Sequence, residues 1–504
     1  SVPASSATRR LQKPGRGSAV SESDSLSPRS ILLSDMASLE LTDMQGFLAR
    51  GYGGLPEATF LLLRVEEAAA AQAWLRSLTA DVTPADPKPS QSALQVALTG
   101  DGLRALGFGE DTLQTFDQAF WEGMDAPYRQ RILGDDGDSA PQHWRWGNDA
   151  NPAHVLLMLF AIDAETLEAR IETVHGGLQG LAETERLDTT SFTPAREHFG
   201  FRDGISQPIV EGLSRSGAPE NTVPPGEFFL GYPNAYGERS VRPSVDPACD
   251  PDEILPRTKT ERDGVRGDLG RNGTYVVLRQ LSQDVQGFWK SVAEASEEVY
   301  GSAEERHRLA AKMVGRWREG APLALSPDDP DAPARDDFGY HEEDPDGMKC
   351  PFASHLRRSN PRDSLEGGPE ESTTVSNRHR LVRRGRPYGP PLADDFDVDD
   401  MLAAAPDDAE RGLHFLCLCG DIARQFEFTQ QTWIENQKFS GLYDDPDPLM
   451  GSPQDEGTTF TIPDTPVRRR VRDMQRFVEV RGGAYFFMPS LTALRFLGRA
   501  DLSA

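Results

Sequence analysis

Six short apolar runs constrain this chain more than any other feature, because each fits a buried strand and is too short for an ordinary helix. They are Phe-Leu-Leu-Leu-Arg-Val at 60–65, Leu-Gln-Val-Ala-Leu at 94–98, residues 154–162, Thr-Tyr-Val-Val-Leu at 274–278, residues 413–419 and residues 484–488. Between them, residues 66–78, 164–175, 284–300, 303–317 and 421–435 carry helical spacing. Strand, helix, strand, then strand and helix again, predicts an α+β sandwich with helices on a sheet face. The pattern stops at 213–270, a stretch loaded with Pro, Gly and Asp, and then restarts. Two halves of similar plan are therefore expected, at 35–215 and 216–504, after a Ser-, Pro- and Arg-rich segment at 1–34 that should be disordered.

Charge narrows the partners. The 504 residues carry a net charge of −27, which argues against nucleic acid, since phosphate binding needs a positive field. The basic run Val-Arg-Arg-Arg-Val-Arg at 467–472 does not reverse this, because its alternating valines fit a half-exposed strand or turn. No run approaches the length of a membrane span. The segment at 1–34 lacks the apolar centre of a signal peptide, so a cytoplasmic location is expected; a trimmed, secreted chain stays open. Four cysteines are too few for a disulfide scaffold, and Cys417 and Cys419 read as a buried reduced pair. Acidic, proline-rich stretches at 327–346, 391–410 and 443–456 read as solvated loops.

Three motifs carry the chemistry. Residues 196–208 read Arg-Glu-His-Phe-Gly-Phe-Arg-Asp-Gly-Ile-Ser-Gln-Pro, with Asp203 between glycines. Alone, Gly-x-x-Asp-Gly is a turn in which Asp caps nearby amides. Residues 350–362 read Cys-Pro-Phe-Ala-Ser-His-Leu-Arg-Arg-Ser-Asn-Pro-Arg, placing His355 among Arg357, Arg358 and Arg362. Residues 378–385 read Arg-His-Arg-Leu-Val-Arg-Arg-Gly, placing Arg383 and Arg384 together. An imidazole beside several guanidinium groups suits a haem, whose iron takes the first and whose propionates take the second. Cys350 as a thiolate ligand is the alternative.

Together these motifs resemble the dye-decolorising peroxidase family of haem enzymes, in its larger, long-loop form. The likeness extends from Asp-Met-Gln-Gly at 43–46 through residues 415–433 to 482–490. It implies two ferredoxin-like domains, each an antiparallel sheet with helices, and one non-covalent haem b per chain held between sheet and helices of the second. It implies a distal acid at Asp203, a distal arginine at Arg383 (its neighbour Arg384 being the alternative) and a proximal iron ligand at His355. The proximal carboxylate that accepts the imidazole proton would be Asp421. Phe201, Gly204, Ile205, Arg357, Arg362, Leu413 and Phe415 would line the pocket. Tyr388 resembles a surface tyrosine that relays electrons in some relatives, and Trp433 is a second relay candidate; a turn-packing and a core role are their respective alternatives.

The implied activity is reduction of hydrogen peroxide through a ferryl intermediate, with oxidation of dyes, phenols or lignin-like aromatics. A haem carrier or haem-processing protein on the same scaffold is the competing reading. Neither the oligomeric state, monomer or dimer, nor the natural donor is legible.

Overall fold

The computed structural model describes residues 38–213, 217–260, 264–452 and 457–499. The segment expected to be disordered, 1–34, lies outside the described residues.

One nine-stranded antiparallel sheet organises the molecule. Its strands are β1 (Glu57–Val65), β2 (Ser92–Leu98), β3 (Val155–Ala161), β4 (Leu181–Asp188), β5 (Thr274–Gln283), β6 (Val382–Arg383), β7 (Arg386–Tyr388), β8 (Gly412–Cys419) and β9 (Val478–Met488). The order is β6-β8-β5-β9-β2-β3-β1-β4, with β7 also on β8. The first four strands and the last five are thus two antiparallel sets, joined among the described residues only where Phe487 of β9 meets Leu98 of β2. This is the expected α+β architecture of two ferredoxin-like units, one set per half of the chain.

All six apolar runs are strands, and their lack of alternation has a direct cause: both sheet faces are covered. On β1, Leu61 and Leu63 enter one core while Phe60 and Leu62 enter the other. On β5, Tyr275, Val277 and Leu281 belong to the first core and Val276 and Leu278 to the second. Each such side chain contributes about 1.5–3 kcal/mol on burial. β4 escaped the sequence reading because it is an edge with only Leu187 buried, and its charged residues blunt an open strand. The basic run folds as the short strand Arg469–Arg472 paired with Thr459–Ile462.

Helices cover the first core. α1 (Ala68–Leu78) starts where the Glu67 carboxylate accepts from Ala69 and Ala70 N–H, and buries Ala71, Trp74, Leu75 and Leu78. α2 (Ala164–Gly177) is capped by Asp163 and buries Leu167, Ile171 and Val174. α3 (Val285–Tyr300) follows β5, is capped by Asp284, and ends at Gly301 in the left-handed region, φ 78°. α4 (Arg306–Val314) and the short α5 (His355–Ser359) come next. The helical pattern at 421–435 is realised as two π-helical turns, Ala423–Glu427 and Thr429–Ile434. Such turns widen a helix and are frequent beside functional cavities. Among the described residues, no helix is long and apolar enough to cross a membrane.

Candidate active site

A cavity of about 290 Å³ opens on the β5–β8 end of the sheet, walled by α5, the π-helical turns and the 197–208 loop. Its lining includes Asp203, His355 and Arg383, three residues from segments far apart in sequence.

Asp203 sits on coil between Gly200 (φ 94°) and Gly204 (φ 78°). A side chain at 200 would strike the Arg318 guanidinium, and nothing lies within 4 Å of a Cβ built at 204, so there the backbone borders open cavity. The Asp203 carboxylate accepts from Gly204 N–H at 2.6 Å and from Arg383 Nη1 at 3.0 Å. Burial pushes the Asp203 carboxyl up, but the Arg383 charge and the Gly204 N–H outweigh it, holding it below the ordinary carboxylate range.

Arg383 ends the two-residue edge strand β6, opposite Cys417 of β8. Strand alternation sends Val382 into the second core and Arg383 to the cavity side. Gln207 completes that edge: its amide donates to Arg383 O at 3.1 Å and accepts from Arg383 N–H at 3.0 Å. Arg383 Nη2 also donates to Ser206 O, so the 203–207 loop grips the arginine at both ends. Arg384 points away and reaches Leu48 O at 3.4 Å, which selects Arg383 as the cavity arginine.

His355 is the first residue of α5. Its Nδ1 donates to Asp447 Oδ2 at 2.9 Å, which leaves Nε2 as the ring nitrogen free to bind a metal. Asp447 is buried, and its other oxygen accepts from Leu449 and Met450 N–H, both at 2.9 Å. Burial lowers the imidazole's proton affinity, yet the Asp447 carboxylate more than offsets this and the pKa is raised.

This pairing corrects the assignment of Asp421. That carboxylate instead caps the first π-helical turn through Arg424 N–H at 2.8 Å and pairs with the Arg424 side chain. Position in the family motif pointed to Asp421, whereas Asp447 was hidden in an acidic stretch read as solvated loop. The stretch at 327–346 departs from that reading in the same way. Asp336 there binds Arg316 and Arg362, and buried Asp344 binds Arg357.

Arg357 is not a cavity residue. Fully buried, it donates to Asp344 Oδ2 at 3.0 Å and lies over the Tyr340 and Phe352 rings, so it braces the loop ahead of α5. Cys350 is buried against Ser354 Oγ and does not line the cavity, which removes it as an iron ligand. Tyr388 and Trp433 are 7% and 4% exposed, so neither is a surface relay. Tyr388 stacks on His414, and Trp433 packs edge-on against Phe428 and His379. Phe201, Gly204, Ile205, Arg362, Leu413 and Phe415 do line the cavity.

The residues present fit a haem. The cavity presents Arg316, Arg362 and Arg380 along one side, and the first two share the single carboxylate of Asp336. Buried Arg380 donates to Asn221 Oδ1 at 3.3 Å, and burial with the Arg362 charge beside it brings its pKa down to about 10. A buried guanidinium without a counter-charge is costly, and two propionates supply what these arginines lack. Sequence reasoning also missed Glu197. Its carboxylate accepts from Phe199 and Phe201 N–H at 2.8 Å and from Gln283 Nε2 at 2.7 Å, tying the Asp203 loop to β5. Burial pushes this acid up to about 7.

No family model matches the chain. Among characterised proteins, a dye-decolorizing peroxidase of Mycena epipterygia is 30% identical over 489 residues, covering 88% of this chain and 84% of its own. The dye-decolorizing peroxidase msp1 of Mycetinis scorodonius is 28% identical over 499 residues, covering 92% and 88%. Among solved structures, a dye-decolorizing peroxidase in complex with 2,6-dimethoxyphenol superposes with a TM-score of 0.71 at 25% identity, covering 92% of this chain and all of its own. An ancestral D-type dye decolorizing peroxidase gives 0.71 at 25% identity, covering 91% and 99%.

Proposed function

The chain belongs to the dye-decolorising peroxidase family and is a peroxidase, and from that premise we propose that Asp203 and Arg383 together promote cleavage of hydrogen peroxide in a cavity where His355 would ligate a haem iron. The observation that carries this reading is the Asp203–Arg383 pair in the same cavity as an imidazole whose Nδ1 is already engaged. Haem b, bound without a covalent link, would be held by His355 and by the excess cations Arg316, Arg362 and Arg380, and would supply the iron and the two electrons that the peroxide takes up. Asp203 would take a proton from one peroxide oxygen and return it to the other, so that the O–O bond breaks and the doubly protonated oxygen leaves as water. Arg383 donates hydrogen bonds to that leaving oxygen as negative charge builds on it. Because Asp203 stays ionised below the ordinary carboxylate range, this proton transfer persists in acid solution.

Aromatic one-electron donors, including dyes and phenols, complete the cycle in this reading. Support comes from the names of the relatives and from the dimethoxyphenol complex of a homologous fold. A haem carrier needs no acid and arginine paired in one cavity, which favours the enzyme.

The test is rapid mixing of the haem-loaded protein with peroxide. Asp203→Asn and Arg383→Leu should each slow the reaction by roughly 10²–10⁴-fold. Parent-like rates in both variants would overturn the proposal.

A further inference from the structure

We propose that Arg358 is the positioning residue of the proximal side: it sets the Asp447–His355 hydrogen bond, and through it the donor strength of the imidazole. This rests on the reading of His355 as the iron ligand.

Arg358 follows His355 by three residues on α5, so the two side chains share a helix face. That face meets the segment running from the second π-helical turn to Asp447. Arg358 is fully buried and its hydrogen bonds go to main-chain carbonyls. Nη1 donates to Trp433 O at 2.7 Å and to Asn436 O at 2.9 Å, Nη2 donates to Asp445 O, and Nε donates to Ala353 O at 3.2 Å. The fork therefore pins both ends of the strap 433–445, two residues short of Asp447. Asp447 N–H is held in turn by Ile434 O at 2.9 Å. One guanidinium thus fixes where the strap delivers its carboxylate, and His355 receives it.

A guanidinium buried among neutral carbonyls is expensive unless negative charge lies near. The acids that offset its desolvation are Asp447 first and Asp445 second. Arg358 thus acts on Asp447 by registering the backbone that carries it. A carboxylate acceptor held in a fixed place gives the ligating imidazole anionic character, which strengthens its bond to iron.

The experiment uses the haem-loaded full chain and reads the iron–imidazole stretching frequency of the reduced protein together with the iron reduction potential. Asp447→Asn sets the reference shift, a lower stretch and a higher potential. Arg358→Met is expected to move both readouts the same way, and Arg358→Lys, which keeps charge but loses the fork, to move them less. Peroxide reactivity in these variants should fall roughly 10-fold or more, the usual scale for partners of a metal ligand. In the double variant Asp447→Asn/Arg358→Met the shift should equal that of Asp447→Asn alone.

Parent-like readouts in Arg358→Met, or an additive shift in the double variant, would overturn the proposal. If Arg358→Met does not fold, Arg358→Lys decides by the same criterion. Failure of the underlying ligand reading looks different: His355→Ala would then keep the parent's stretch.

Discussion

The two sides of the cavity are built on opposite terms. Asp203 and Arg383 stand on a coil and a two-residue edge strand, with side chains 35% and 37% exposed. Across the cavity, Asp447 and Arg358 are buried and tied to main-chain groups from four segments. Proton transfer needs groups that reach an entering small molecule and exchange protons with it. Metal ligation needs a ring whose direction and donor strength stay constant through the cycle. The distal side therefore spends little of the fold's stability on its residues, and the proximal side a great deal.

That contrast breaks if substitutions on the two sides have the same kind of effect. The distal ion pair, a third exposed, is worth at most about 1 kcal/mol, so Asp203→Asn should leave thermal stability nearly unchanged while removing most peroxide reactivity. Arg357 on α5 should behave in reverse. Its substitution by Ala strands the buried Asp344 carboxylate and costs about 3–5 kcal/mol, read as a lowered denaturant midpoint. The folded fraction should keep the parent's rate with peroxide. A large rate loss at Arg357 with stability intact would return it to the site.

The next effect is a displacement on the pH axis. In the proposed mechanism Asp203 works as a base only when ionised, and its folded pKa lies below the ordinary value of 3.8. Peroxide reactivity should therefore hold through mildly acid solution and fall only as pH drops through that lowered pKa. Arg383 is the largest of the influences that depress it. In Arg383→Leu the upward push of burial stands less opposed, so the acid limb of the residual rate should move to higher pH. A limb that stays in place would mean that another group governs it.

The sequence made one side far more legible than the other, for physical reasons. Asp203 and Arg383 lie in compact motifs because a turn between two glycines and an edge strand completed by Gln207 are local devices. His355 was equally readable, as an imidazole opening a helix among arginines. Its partner was not, since Asp447 is brought in by a strap that only tertiary contacts hold. Composition made that strap look solvated; Asp445 and Asp447 are buried all the same. The fold follows the same division. Apolar runs covered on both faces announced themselves, whereas β4, polar at its edge, left no run to see.

The smallest predicted effect concerns the two relay candidates. A surface site for a bulky dye must touch the dye, and Tyr388 and Trp433 sit beneath other side chains. Tyr388 packs flat on His414 at a ring separation of 4.5 Å. Tyr388→Phe keeps the stack on His414, so it should cost no more than about 1 kcal/mol of stability. Steady-state oxidation of a bulky anionic dye should match the parent, as it should in Trp433→Phe. If either variant loses dye turnover while its reaction with peroxide stays intact, buried aromatic rings do carry electrons from the proximal or distal wall to the surface. The contrast between a mobile and a fixed side would then have to include a third, conducting path through the packed core.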